Sequence, residues 1–142
     1  MIGQSLRSVR TIAQAGPSFR TFALSQRSFH ASRVARDHYL NANEEEFNAR
    51  ALDESSPKPI LVDFYAAWCQ PCRVLTPLLK SHTQPESGYD LMTVDVDEFP
   101  DLAAKYKVSA LPTVVAFKDG KVKNKFVGFR GEADIKKFLE ML

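Results

Sequence analysis

From position 38 onward the apolar residues are spaced for alternating strands and helices. Residues 60–65 are nearly all apolar, the mark of a central strand covered on both faces. Residues 89–96 have the same character, and a helical crossover between the two makes them parallel. A third strand is predicted over 113–118. Asp119-Gly120 then signals a two-residue hairpin, with 121–127 returning antiparallel. Residues 38–42 read as a short edge strand. The intervening segments have helical spacing. Asn43 followed by Glu44-Glu45-Glu46 is a helix start, a capping side chain followed by acids that suit the helix dipole. Phe47, Ala51 and Leu52 form its apolar face, and residues 55–59, with two prolines, end it. A second helix runs from 69 to about 79, with Pro77 expected to kink it. Residues 82–88 read as a loop. Pro100 opens a short helix to 106, 128–131 is a turn, and 132–142 is an amphipathic helix with Ile135, Phe138, Leu139 and Leu142 on one face. The order β-α-β-α-β-α-β-β-α joins a βαβ half to a ββα half. It predicts an α/β domain, a mixed sheet with helices on both faces.

Charge divides the chain. Its 142 residues suffice for one domain with a single core, and the net charge of +2 conceals a split. Residues 1–36 hold six arginines with no lysine and no acid. The remainder holds 13 Lys and Arg against 17 Asp and Glu, a net −4. A mildly acidic folded part offers no basic face for nucleic acid. The arginine- and serine-rich, acid-free start is typical of a mitochondrial presequence. Ile2, Leu6, Val9 and Ala13 recur at helical spacing, a short basic amphipathic helix stopped by Gly16-Pro17. It lacks the apolar core of a secretory signal. The alternative is a disordered basic arm that binds something anionic. Residues 27–36 resemble a two-step matrix-processing pattern: a cut after Ser28, then loss of an octapeptide to leave Asp37. The expected layout is therefore a cleaved presequence over 1–36 and one domain over 37–142, in the matrix. No apolar run is long enough for a transmembrane helix.

The candidate chemistry lies at the junction between the strand over 60–65 and the following helix. Trp68-Cys69-Gln70-Pro71-Cys72 contains the chain's only two cysteines. A Cys-x-x-Cys beside a βαβ pattern is a specific redox signal. Cys69, expected to be partly exposed at the helix start, is the candidate nucleophile, because backbone N–H groups and the dipole favour a thiolate there. Cys72, one turn further in and more buried, is the resolving thiol. Pro71 stiffens the tip. Two inert buried cysteines are the plainer alternative. Two cysteines cannot staple a scaffold and supply only half of a tetrahedral zinc site; His30, His38 and His82 are not paired at ligand spacing, so no metal is expected. Asp63 falls inside the apolar strand, where burial would raise its pKa and suit it to exchange a proton with Cys72. Its alternative is an aspartate facing solvent from an edge strand. Leu111-Pro112-Thr113, taken alone, is an ordinary turn before a strand.

Together these motifs resemble the thioredoxin family. Trp68-Cys69-x-Pro71-Cys72, Asp63 six residues earlier, Pro77, Leu111-Pro112-Thr113, Asp119-Gly120 and Gly128 stand at the family's relative positions, over roughly residues 38–142. With its arginine-rich start the chain resembles a mitochondrial member. The resemblance implies a thioredoxin fold and a protein-disulfide reductase without a bound cofactor, recharged by a thioredoxin reductase that draws on NADPH. Peroxiredoxins and methionine sulfoxide reductases are the implied clients, and the implied state is a monomer. It also implies a cis Pro112 facing the cysteines and backbone groups of Leu111 offered to an extended substrate. Trp68 would flank the sulfurs, Thr113 would complete the substrate loop, and Gly128 would leave room for the partner chain. Core packing for Trp68 and a plain turn for Gly128 are the alternatives. Two departures stand out. Gln70 replaces the glycine of many members and bears on the redox potential. Thr93 replaces a lysine near Asp63, which would let the Asp63 pKa sit higher. A more oxidising disulfide donor or isomerase, and a non-enzymatic holdase or scaffold, are the competing readings.

Overall fold

The computed structural model describes residues 38–142. The helix over residues 2–14, the cut after Ser28 and the start at Asp37 lie outside the described residues. Five strands and four helices follow one another as β1 (His38–Tyr39), α1 (Glu44–Ala51), β2 (Ile60–Tyr65), α2 (Gln70–His82), β3 (Asp90–Asp95), α3 (Pro100–Lys105), β4 (Thr113–Lys118), β5 (Lys121–Val127) and α4 (Glu132–Glu140). The sheet order is β1-β3-β2-β4-β5. β3 is parallel to β1 and β2, whereas β4 is antiparallel to both β2 and β5. This is the mixed sheet that the element order predicts.

Side-chain alternation along β2 assigns the layers. Ile60, Val62 and Phe64 point to the face covered by Phe47 and Ala51 of α1 and Leu102 and Ala103 of α3. Leu61 points the other way, to Leu75 and Leu79 of α2 and Ile135, Phe138 and Leu139 of α4. Asp63 has the parity of Leu61, so its carboxyl faces α2. An aromatic group stiffens the first layer: the Phe47 ring meets Tyr106 at 5.3 Å and Phe117 edge-on at 5.5 Å. Phe47→Ala removes the centre of this group, and the expected cost is about 4 kcal/mol. Denaturant unfolding checks it; a loss under about 1 kcal/mol would mean that the aromatic group is not a main stabiliser.

Local signals account for most boundaries. Asn43 caps α1 reciprocally: its Oδ1 accepts from the Glu46 amide at 2.8 Å, and Glu46 Oε2 accepts from the Asn43 amide at 3.3 Å. Asp119 (φ 55°) and Gly120 (φ 69°) both take the left-handed region, as a tight hairpin requires. A Cβ on Gly120 would also stand 2.8 Å from the Leu52 carbonyl oxygen. β5 carries a bulge opposite Ala116/Phe117.

Several element ends shift by one or two residues, and three differences from expectation are larger or of another kind. β1 stops at Tyr39 and does not reach residue 42, because Asn41 turns left-handed (φ 54°) and its amide donates to Thr93 Oγ1 at 2.8 Å, leaving the ladder. α2 continues to His82, three residues beyond the expected end, and the hydroxyl of its C-cap residue Thr83 donates to the Leu79 carbonyl at 2.9 Å. The 82–88 loop contains a 3-10 turn, Pro85–Ser87. Among the described residues no helix is long and apolar enough to cross a membrane.

Candidate active site

Cys69 and Cys72 stand where β2 gives way to α2. Cys69 is the N-cap residue, and its sulfur accepts from the Cys72 amide at 3.3 Å. The two sulfurs are bonded at 2.04 Å, with the Cα atoms 5.4 Å apart. A single helical turn brings residues three apart onto the same side, so the two-residue spacer is sufficient. Both side chains are buried, Cys69 to 4% exposure and Cys72 to 1%. The partly exposed Cys69 expected from sequence is therefore corrected. A disulfide packs as a small apolar group, and Ala66, with Tyr65, Val96 and Leu111 against it, encloses the pair. The Cys72 amide is directed at the Cys69 sulfur, and a backbone N–H at a helix start is a feature that favours a thiolate. Gln70 and Pro71 take the first two helical positions and are exposed. Proline is tolerated there because the early N–H groups have no helical partner.

Trp68 is 67% exposed, which rules out core packing. Its indole Nε1 donates to Asp97 Oδ2 at 2.9 Å, so the ring is anchored beside the cysteines at its polar end. On the other wall Leu111 packs against the cysteine group, and the Leu111–Pro112 peptide is cis. The Pro112 carbonyl accepts from the Gly128 amide at 2.8 Å, tying this loop to the turn after β5. Gly128 has φ 84°, and a Cβ there would meet nothing within 4 Å. Backbone conformation, not crowding, requires glycine there, and the space above it is open. Thr113 is fully buried; its hydroxyl donates to the Ala110 carbonyl at 2.7 Å and steadies the loop that carries Leu111 and Pro112.

Asp63 lies on the α2 side of the sheet with no exposed surface. Its Oδ2 accepts from Thr76 Oγ1 at 2.6 Å, while Oδ1 is buried without a hydrogen-bond partner. Desolvation pushes the carboxyl up to about 6, against the Thr76 hydrogen bond and the positive charge of Lys80, which both favour the ionised form. Thr93, where a lysine stands in many members, is the register partner of Asp63 on β3. The opposing cation is instead on α2. Sequence reasoning missed Thr76 and Lys80, although the signal existed: Cys72, Thr76 and Lys80 are spaced four apart and share one helix face. Among the described residues no group of three His, Cys, Asp or Glu could hold a metal ion.

Comparison with known proteins agrees with this arrangement. A family model described as Thioredoxin matches residues 38–141. The chain is 39% identical over 131 residues to "Thioredoxin, mitochondrial" of Bos taurus, covering 91% of this chain and 78% of that one. It is 40% identical over 117 residues to the protein of the same name from Rattus norvegicus, covering 82% and 69%. It is 39% identical over 128 residues to "Thioredoxin-2, mitochondrial" of Schizosaccharomyces pombe, covering 89% of each. Among solved structures, a mutant thioredoxin from Halobacterium salinarum superposes with a TM-score of 0.64 at 31% identity, covering 72% of this chain and 88% of that one. A chain from a study of the thiol-resolving mechanism in yeast mitochondrial 1-Cys peroxiredoxin via glutathione/thioredoxin systems gives 0.62 at 31% identity, covering 73% and 94%.

Proposed function

The chain belongs to the thioredoxin family, and on that footing we propose that Cys69 attacks client disulfides and Cys72 resolves the product. The activity itself is thiol–disulfide exchange: the protein is a protein-disulfide reductase of mitochondria. The observation that carries the assignment of roles is the cysteine pair at the cap of α2, with the Cys72 amide turned toward the Cys69 sulfur. In the reduced protein the Cys69 thiolate attacks one client sulfur. The client S–S bond breaks, a mixed disulfide forms, and the displaced client sulfur leaves with the electron pair and takes up a proton. Cys72 then passes its proton to the Asp63 carboxylate, and the resulting thiolate attacks the Cys69 sulfur. The bond from Cys69 to the client breaks, and the second client sulfur leaves as a thiolate. The client has gained two electrons, and Cys69–Cys72 is oxidised. Gln70 and Pro71 tune the tip, Trp68 and Gly128 border the docking surface, and Leu111, Pro112 and Thr113 form the loop against which an extended substrate lies.

The oxidised pair is returned to the dithiol by a thioredoxin reductase that uses NADPH. Peroxiredoxins and methionine sulfoxide reductases are the clients we favour, because their cycles generate disulfides. The likeness to a chain studied with a mitochondrial peroxiredoxin supports the first. The arginine-rich, acid-free residues 1–36 act as a matrix-targeting presequence, removed to leave Asp37. The redox potential tests the direction of transfer. Equilibrated in graded glutathione buffers, the Cys69–Cys72 couple is expected near the general thioredoxin value of about −270 mV. A value at or above about −180 mV, the range of protein disulfide isomerase, would make the chain an oxidant or isomerase and overturn the reductase direction.

A further inference from the structure

We propose that α2 carries a proton-handling stripe, Cys72–Thr76–Lys80, in which Thr76 and Lys80 are positioning residues that hold Asp63 ready to accept the Cys72 proton. This rests on the reading above that Asp63 is the acceptor. The three residues stand at i, i+4 and i+8 and so share one helix face. All three line a single cavity of about 410 Å³, whose wall also includes Thr93. Asp63 lies directly behind that wall, hydrogen-bonded to Thr76 at 2.6 Å and paired in register with Thr93.

The two contacts do different work. Thr76 occupies Oδ2 and leaves Oδ1 as a buried acceptor without a partner. A carboxyl pinned by one oxygen presents the other in a fixed direction. It also keeps part of its preference for the charged form, since a donor to a carboxylate favours ionisation. Lys80 is half-buried, so its ammonium acts on Asp63 partly through protein and less through water, where a charge is felt more weakly. Without these two, burial alone would keep the carboxyl protonated further into the neutral range, and it could not take the thiol proton.

The remaining surroundings leave the assignment to α2. The cavity wall holds one more cation, Arg73, whose guanidinium donates to the Ala67 carbonyl at 2.8 Å. Tyr65, at the end of β2, donates its phenolic hydrogen to Asn41 Oδ1 at 2.6 Å; its own proton is held more tightly by burial and by Asp95, Glu98 and Asp63. β3 and β4 present Thr93 and Val114 as register partners of Asp63, and neither titrates.

The test is an NMR titration of the Asp63 carboxyl in the reduced full-length chain, alongside the pH profile of disulfide reduction. Thr76→Val is expected to move the Asp63 midpoint upward by roughly 1 pH unit, the value of one hydrogen bond to a charged group. Lys80→Met moves it the same way by less. Thr76→Ser and Lys80→Arg, which keep the hydroxyl and the charge, restore it, and the rate profile follows the midpoint. An unmoved midpoint in both Val and Met variants overturns the proposal, as does a Ser variant shifted as far as the Val variant. Unchanged turnover in Asp63→Asn overturns the acceptor role itself. The two failures are distinguishable because the NMR midpoint does not depend on turnover.

Discussion

Replacing Cys69 by serine is expected to reduce protein-disulfide turnover to the uncatalysed background, whereas replacing Cys72 by serine traps the client. The asymmetry follows from position. The Cys72 amide is directed at the Cys69 sulfur at 3.3 Å, so the helix end favours the thiolate on Cys69 and not on Cys72. Cys72 is also the more deeply buried of the two, at 1% exposure, and presents no sulfur to a bulky partner. Cys69→Ser therefore has no nucleophile to replace the lost one. In Cys72→Ser the first attack proceeds, but nothing displaces the client from Cys69, and a mixed disulfide accumulates toward one client per chain. Non-reducing electrophoresis and intact mass follow the adduct, and insulin reduction follows the turnover. Appreciable turnover by Cys69→Ser would remove the nucleophile assignment. A protein acting only as a holdase or scaffold would be indifferent to both changes.

The second large effect concerns Asp63 and has a defined sign. Its carboxyl binds a proton more tightly in the folded chain, near 6, than in the unfolded chain, near 3.8, because ionisation leaves a charge in the interior. A raised carboxyl favours the folded state fully below the unfolded value, and that contribution is lost as the pH rises through the folded one. The window is thus from about 4 to above 6. At 1.36 kcal/mol per unit, the shift amounts to about 3 kcal/mol. Asp63→Asn has no such transition. Unfolding of the oxidised proteins should show the variant gaining about 3 kcal/mol relative to the parent between pH 3.5 and 8. The same variant should slow the resolving step by roughly 10²-fold near neutrality, through loss of a general base, and should lose the inflection near pH 6 from its rate profile. A stability difference that stays flat with pH would show that the carboxyl is not held in a desolvated site.

The contrast with Asp90 shows what a buried acid means here. Asp90, at the start of β3, is also buried, but Arg50 Nε from α1 donates to its Oδ2 at 2.9 Å, and the same guanidinium donates to the Lys58 carbonyl. That carboxylate ties α1 to the sheet. Asp63 has a hydroxyl where Asp90 has a guanidinium, so no charged group is hydrogen-bonded to it.

Much of this was legible in the residues themselves, because it depends on neighbours close in the chain. The apolar run at 60–65, the Asn43 cap, the Asp119-Gly120 hairpin and the two-residue cysteine spacer act within a few positions. The nine elements and the mixed sheet follow from them. What the tertiary structure decided depends on contacts between distant positions. Asp63 and Asp90 both lie in apolar strands, and nothing local distinguishes them; the difference lies in whether Thr76 or Arg50 arrives opposite. The burial of Cys69 depends on Leu111 and Val96, brought in from other parts of the chain. The early end of β1 depends on a hydroxyl 52 residues away. The cation beside Asp63 is absent from the strand position where the resemblance sought it and is supplied by α2: the four-residue spacing puts Cys72, Thr76 and Lys80 on one helix face, but only packing sets that face against Asp63.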